Sequence, residues 1–166
     1  EVRLRLIQSI QTGSEESERE SSYQEQGGVR LSLCSFFEGD DDDVAISKEG
    51  YCWMEDDSIR SDSGESGSRF TVRLPEGICS LILRRVSDQK QGRQRAAVWV
   101  DGIRLPNDWY VPDRNEYKRW LEDEYTIPGL YLAGRNEIRI RIEPVCAGGR
   151  VCWNEIGYQI LAVIKR

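Results

Sequence analysis

The sequence predicts an all-β chain, an antiparallel β-sandwich or jelly roll, and three observations predict it. Apolar and polar residues alternate with period two wherever a pattern can be read, turn residues divide those runs into short pieces, and helical spacing is weak throughout. Successive side chains of a strand point to opposite faces, so half-buried strands require this alternation.

In chain order, Val2-Arg3-Leu4-Arg5-Leu6 alternates and continues to Ile10. Val29 to Leu33 does the same and runs into Phe36-Phe37. Phe70 to Leu74 alternates, Leu81-Ile82-Leu83 reads as fully buried, and Ala96 to Val100 forms a further strand. In Ile138-Arg139-Ile140-Arg141-Ile142 three isoleucines go to one face and two arginines to the other. A last strand covers about Gly157 to Ile164. Turn residues separate these runs: Pro75-Glu76-Gly77, Asp101-Gly102, Ala133 to Asn136 and Gly148-Gly149. Only Glu116 to Glu124 is spaced for a turn or two of helix. The stretches 13–26 and 56–68 are rich in Ser, Glu, Asp and Gly and read as polar loops, with strands resuming after each. With no repeat or linker, residues 1–166 are expected to form one β-sandwich domain.

Composition narrows the function. Charged residues are 31% and hydrophobic residues 39%, the balance of a soluble globular domain with a polar surface. A net charge of −6 argues against nucleic acid, which wants a basic stripe. The distribution is uneven, with a basic run at Arg84, Arg85, Lys90, Arg93 and Arg95 and an acidic one from Glu38 to Asp43. No run reaches the roughly 18 apolar residues of a membrane span. The first residue is Glu, which predicts a processed chain or an excised domain. Histidine is absent, which removes Ser-His-Asp and Cys-His hydrolysis and His-ligated zinc.

The five cysteines form no CxxC pair, so no structural zinc site is expected. Cys146 and Cys152 bracket a Gly-Gly turn, which suits a disulfide; Cys34 and Cys52 can close a second, leaving Cys79 as a small buried hydrophobe. Such bridges place the protein outside the cell; five reduced thiols in the cytosol are the alternative. The acidic run at 38–43 lacks the spacing of an EF-hand loop and reads as solvated, so neither a metal nor a cofactor is expected.

Chemistry is densest between Asp101 and Pro128, where Trp109, Tyr110 and Trp120 stand among Asn115, Arg119, Glu122 and Asp123, and in WNEIGY at 153–158. Flat aromatic faces beside fixed polar groups suit a sugar, whose C–H face stacks on a ring while its hydroxyls need donors and acceptors. The expected ligand-binding set is therefore Trp109, Tyr110, Asn115, Arg119, Trp120, Glu122, Trp153 and Glu155, with no catalytic residue. The plainer alternative makes Trp99, Trp109 and Trp120 core or seam aromatics of a β domain. A glycosidase would need two carboxyl groups about 5 to 10 Å apart, for which Glu122 and Glu155 are the nearest candidates. Alternation sends Glu122 and Asp123 to opposite faces, so those two cannot pair. The polar loop from Ser87 to Arg95 is a second rim location, its arginines suited to carboxylates or vicinal hydroxyls.

The segments RFTVRLPEG, LILRRVSDQKQGRQRAAVWVDG, WYVPDRNEYKRWLEDEYTIP, GRNEIRIRIEP and WNEIGY together resemble an accessory β-sandwich module. It is found downstream of the catalytic region in a domain-of-unknown-function family related to the jelly-roll glycoside hydrolases of fructofuranosides and arabinofuranosides. The resemblance spans about Phe70 to Ile164 and implies a galactose-binding-like jelly roll in a saccharide context. It carries over no binding residues and no activity. Taken together, the expectation is a secreted, non-catalytic carbohydrate-binding module. Its partners are a saccharide or polysaccharide and a catalytic domain of the same parent protein, not nucleic acid or a membrane. A glycosidase fragment and a structural or oligomerisation sandwich are the alternatives.

Overall fold

The computed structural model describes residues 1–12, 14–26, 29–31, 51–54, 67–89, 93–112, 120–145 and 153–165; of 29–31, 51–54, 88 and 120 it describes the backbone alone. The strands are β1 (Val2–Gln11), β2 (Gln24–Gln26), β3 (Val29–Leu31), β4 (Tyr51–Met54), β5 (Gly67–Arg73), β6 (Ile78–Asp88), β7 (Gln94–Val100), β8 (Ile103–Arg104), β9 (Trp109–Val111), β10 (Trp120–Pro128), β11 (Glu137–Pro144), β12 (Trp153–Glu155) and β13 (Gly157–Lys165). Two sheets carry the sandwich. The first has the order β1-β13-β6-β10; the second has the order β2-β5-β11-β7-β8, with β9 also pairing β7. A third, β12-β4-β3, meets them through β12, which packs on β6 and β7. Every pairing is antiparallel. The expected all-β antiparallel jelly roll is the fold observed.

The core lies between the two large sheets. Leu81, Leu83, Ile127, Ile160 and Ala162 enter it from the first sheet; Phe70, Val72, Val98, Val100, Ile138, Ile140 and Ile142 enter from the second. β11 shows why the sequence folds this way: its three isoleucines are sealed, Arg139 is exposed, and Arg141 is half-buried on the outer face. The Asp101-Gly102 turn joins β7 to β8 with both residues at positive φ (47° and 81°), the backbone of a tight hairpin. Asp101 also accepts the Arg139 backbone N–H at 2.7 Å, which ties that turn to β11.

The structure corrects several expectations. The segment expected to turn as a helix, Glu116 to Glu124, is strand from Trp120 onward; Glu122 and Glu124 face out while Asp123 and Tyr125 turn inward. An inward carboxylate at Asp123 hid that alternation. The stretch expected as loop at 13–26 contains a short helix, α1 (Glu15–Glu20). Ser14 caps it by accepting the Ser17 N–H, and Glu15, Glu16 and Glu18 favour the positive end of its dipole. In the stretch 56–68, Gly67 and Ser68 are buried residues of β5. Ile82 is half-buried on the outer face between sealed Leu81 and Leu83, and Cys79 is a free, exposed thiol rather than a core residue. Cys34, Cys146, Cys152 and the acidic run at 38–43 lie outside the described residues, as does the Cys52 side chain. No helix among the described residues is long and apolar enough to cross a membrane.

Ile140→Ala is expected to cost about 2 to 5 kcal/mol in denaturant unfolding, as buried truncations do. Arg139→Ala, on the opposite face of the same strand, is expected to cost under about 0.5 kcal/mol.

Candidate functional site

β9 decides where the aromatic chemistry goes. Its pairing sets Ala96 opposite Trp109 and Arg95 opposite Tyr110. Ala96 is sealed in the core, so Trp109 follows it inward and Tyr110 turns out. Trp109 is only 2% exposed; its ring stacks on Tyr125 (5.6 Å between centroids) and meets Trp153 edge-on at 5.4 Å. Trp153 and Glu155 are sealed as well, at 0% and 1% exposed. Three residues expected to meet a sugar are thus interior, and neither indole offers a face to solvent. For Trp109 the plainer alternative holds, and Trp153, which it did not include, is a core aromatic too, whereas Trp99 is half-buried on the outer face of its sheet.

Tyr110 is 45% exposed and stands at a surface hollow of about 600 Å³. The Arg95 guanidinium lies 4.3 Å over its ring. Asp108 sits between Arg95 (3.6 Å) and Arg104 (3.2 Å), and Pro106 and Asn107 complete the rim. Below, the Tyr125 hydroxyl donates to the Asn107 carbonyl at 2.6 Å and fixes the turn. Burial first, then the Asp108 carboxylate, pushes the Tyr125 phenol up to about 12, so it remains the donor. The hollow therefore presents an aromatic ring, two guanidinium groups, a carboxylate and an amide side chain around one space. Sequence reasoning named Tyr110 and noted Arg95 as a rim donor, but missed Asn107, Asp108 and Arg104. Their signal was the alternation Asp108-Trp109-Tyr110 read against β7.

Glu122 does not join this group. It stands on the outer face of the first sheet, 3.8 Å from Arg84, which also binds Glu124 at 2.8 Å. Asn115, Arg119 and the Trp120 side chain lie outside the described residues. Glu122 is solvent-facing and Glu155 is sealed, so the two flank no common cleft for glycoside cleavage. Among the described residues no group of three or more Cys, Asp or Glu is placed to hold a metal.

Beneath the hollow lies a buried polar cluster. Arg85 is fully buried and grips Asp123 with two hydrogen bonds, Nε to Oδ1 at 3.2 Å and Nη2 to Oδ2 at 2.9 Å. Its Nη1 donates to Gln94 Oε1 (2.7 Å) and to the Asn154 carbonyl (2.9 Å). Its flat face lies 3.6 Å over the Trp153 ring. Gln89 adds a 2.9 Å donor to Asp123. Glu155 is the opposite case. Ser68 donates to its Oε2 at 3.1 Å, while Oε1 has no partner among the described residues. The Tyr158 hydroxyl lies close enough to favour the carboxylate but outside hydrogen-bond geometry, and it too has no hydrogen-bond partner among the described residues. Burial pushes the Glu155 carboxyl up to about 7; Glu25 adds to the rise, and Tyr158, Ser68 and Arg85 oppose it. Burial also raises the Tyr158 phenol.

Solved structures share this fold at low identity. A family 35 carbohydrate binding module from Clostridium thermocellum matches with TM-score 0.52 and 9% identity, over 96% of this chain and 97% of the module. The CBM6cm-2 module of Cellvibrio mixtus lichenase 5A, solved in complex with cellotriose, matches with TM-score 0.52 and 16% identity, over 94% and 97%. The ANXUR2 extracellular domain from Arabidopsis thaliana matches with TM-score 0.58 and 11% identity; it covers 98% of this chain, which spans 50% of that domain. At these identities the likeness shows the fold alone. No family model and no curated protein matches the chain, so kinship with the fructofuranosidase-related family has no support beyond the residues themselves.

Two predictions follow from the buried cluster. Asp123→Ala strands the Arg85 charge in the core and is expected to cost about 3 to 5 kcal/mol in chemical denaturation. For Glu155, the folded carboxyl holds its proton more tightly than the unfolded one, whose ordinary value is 4.5. Its contribution is therefore full below the unfolded value and is lost as pH rises through about 7, on the order of 3 kcal/mol. Melting temperature should fall between about pH 5 and about pH 8, and Glu155→Gln should flatten that fall.

Proposed function

We propose that this chain is a non-catalytic carbohydrate-binding module, with residues 1–166 as one β-sandwich unit that serves a larger, secreted glycan-active protein. The observation that carries the reading is the Tyr110 hollow. A sugar ring has one apolar face and a rim of hydroxyls. Tyr110 supplies the matching surface, Asp108 and Asn107 accept or donate to hydroxyls, and Arg95 and Arg104 donate. Asn115, Arg119 and Trp120, whose residue types suit the same ligand, stay in the proposed binding set. Trp109, Trp153 and Glu155 act from below by fixing β9 and β12. The jelly-roll likeness to carbohydrate binding modules supports the ligand class, and the likeness to the ANXUR2 extracellular domain supports an extracellular setting.

A second reading has one observation behind it. Among the described residues β1 pairs only β13 and stands at a sheet edge, and Val2, Leu4 and Leu6 are 65%, 56% and 51% exposed. An open edge with an apolar side is a template for association, which favours a structural or oligomerisation module.

A glycan array with and without calcium, followed by calorimetry on the best ligand, tests the first reading. Tyr110→Ala is expected to weaken binding about ten- to hundredfold, the equivalent of roughly 1 to 3 kcal/mol of stacking, with an unchanged melting curve. No reducing ends should appear. If no glycan binds and sedimentation shows concentration-dependent association abolished by Leu4→Lys, the structural reading replaces it.

A further inference from the structure

The outer face of the second sheet carries a feature that the Tyr110 hollow does not use. Antiparallel register places Arg69 of β5 opposite Arg141 of β11, and Arg141 opposite Trp99 of β7. All three side chains point away from the core, and Arg139 stands two residues from Arg141 on the same face. Together they line a hollow of about 290 Å³ whose wall holds three guanidinium groups, one indole and no carboxylate. Arg141 lies 4.3 Å over the Trp99 ring and pairs with Glu143 at 2.9 Å. Among the described residues Arg69 bonds the neutral Gln26 amide oxygen alone, at 2.9 Å, and the Arg139 side chain meets no partner.

Two physical points make this arrangement informative. Like charges directly opposite on a sheet are destabilising, and Arg69 and Arg141 occupy that position. The chain also carries 29 acidic against 23 basic residues, so a carboxylate-free wall of arginines is not what composition alone produces. Arg69 and Arg139 also border a longer groove of about 930 Å³, lined by Ser9, Ser22 and Gln24 and, among charged groups, by Arg73, Glu20 and Glu137. The small hollow thus shares two arginines with a trough that offers hydroxyl and amide groups to neighbouring sugar units, while its two carboxylates, Glu20 and Glu137, leave the small hollow as the place for the acidic group.

We propose that this hollow and groove form a second binding site, for the carboxylate or sulfate groups of an acidic polysaccharide. The planar guanidinium fork matches two oxygens of either group, which a lysine would meet only as a point charge. The acidic substituent enters the space between Arg69, Arg139 and Arg141, and neighbouring sugar units lie along the groove. The site takes its polymer class from the saccharide reading above, but its residues are separate from those of the Tyr110 hollow.

The test is affinity electrophoresis of the full chain in gels containing heparin, polygalacturonate or a neutral β-glucan. Retardation is expected in one or both acidic gels, and the heparin and polygalacturonate arms separate sulfate from carboxylate recognition. Arg69→Gln/Arg139→Gln should weaken that binding at least tenfold with an unchanged melting curve, since both side chains are exposed. Arg3→Gln/Arg5→Gln, which removes an equal charge from exposed positions of β1, should change it less than twofold. Added salt should weaken binding, because exposed charges are screened. No retardation in either acidic gel, or retardation that survives the double substitution, overturns the inference. So does equal affinity for single-stranded DNA of matched charge, which would mark a general polyanion surface. Binding to acidic polymers with no neutral glycan bound at Tyr110 would overturn the neutral-site reading instead.

Discussion

One buried cation organises this molecule. Arg85 belongs to β6 of the first sheet, yet it bonds Gln94 of the second sheet and the Asn154 carbonyl of the third. Removing a guanidinium from water costs several kcal/mol, and that cost is offset only when its donors are met with good geometry. Here the fork on Asp123 supplies the countercharge, and a desolvated cation over indole adds roughly 2 kcal/mol. The Trp153 ring lies 3.6 Å below the guanidinium carbon and the Trp109 ring 5.6 Å away, so both indoles serve the charge as well as the core.

That arrangement explains why the candidate hollow is not where the aromatics are densest. Trp109 and Trp153 are held inward by Arg85, by Tyr125 and by each other, so their faces are spent on the interior. What reaches solvent is the opposite side of the same strand, Tyr110, together with the turn that Tyr125 ties down through Asn107. The hollow is a surface consequence of a buried constraint. Moving Trp109 outward would break the ring stack and shift β9 against β7, and Tyr110 would lose its partner Arg95.

Strands whose apolar residues all fall on one side were legible in the sequence. β5, β7 and β11 lie close to where alternation places them, because Ile, Val and Phe on one face leave a single register; β1 is a strand where alternation predicts one, yet Val2, Leu4 and Leu6 face solvent and a bulge after Leu6 resets the register. Legibility fails where the inward residue is polar. β10 turns Asp123 and Tyr125 toward the interior, so its pattern imitates a short polar helix, and only the Arg85 pairing gives Asp123 a reason to be there. The site was half legible for a related reason. Trp109, Trp153 and Glu155 have the residue types of a sugar site, but type does not say which face a residue occupies. Tyr110 emerges outward only once β9 is set against β7, a pairing that spans a hairpin and that local sequence does not encode. Helix α1 was missed because its determinants are a Ser cap and a run of acids, which also make up a solvated loop.

The two outer faces show how little a net charge says about partners. On the first sheet, Arg84 stands between Glu122 and Glu124 of β10 and Gln159 of β13, so the cation is balanced within its own row. On the second, Arg69, Arg139 and Arg141 share one hollow, and only Arg141 has a carboxylate partner. A chain of −6 can therefore present one neutralised face and one that attracts anions. Within a Debye length of about 8 Å at physiological salt, the local set of charges governs what approaches. Among the described residues neither the Arg69 nor the Arg139 side chain is ion-paired, while Glu137 is engaged with Arg73 and Asp101 with Arg135, so these positions, rather than the sum over the chain, decide what this face can bind.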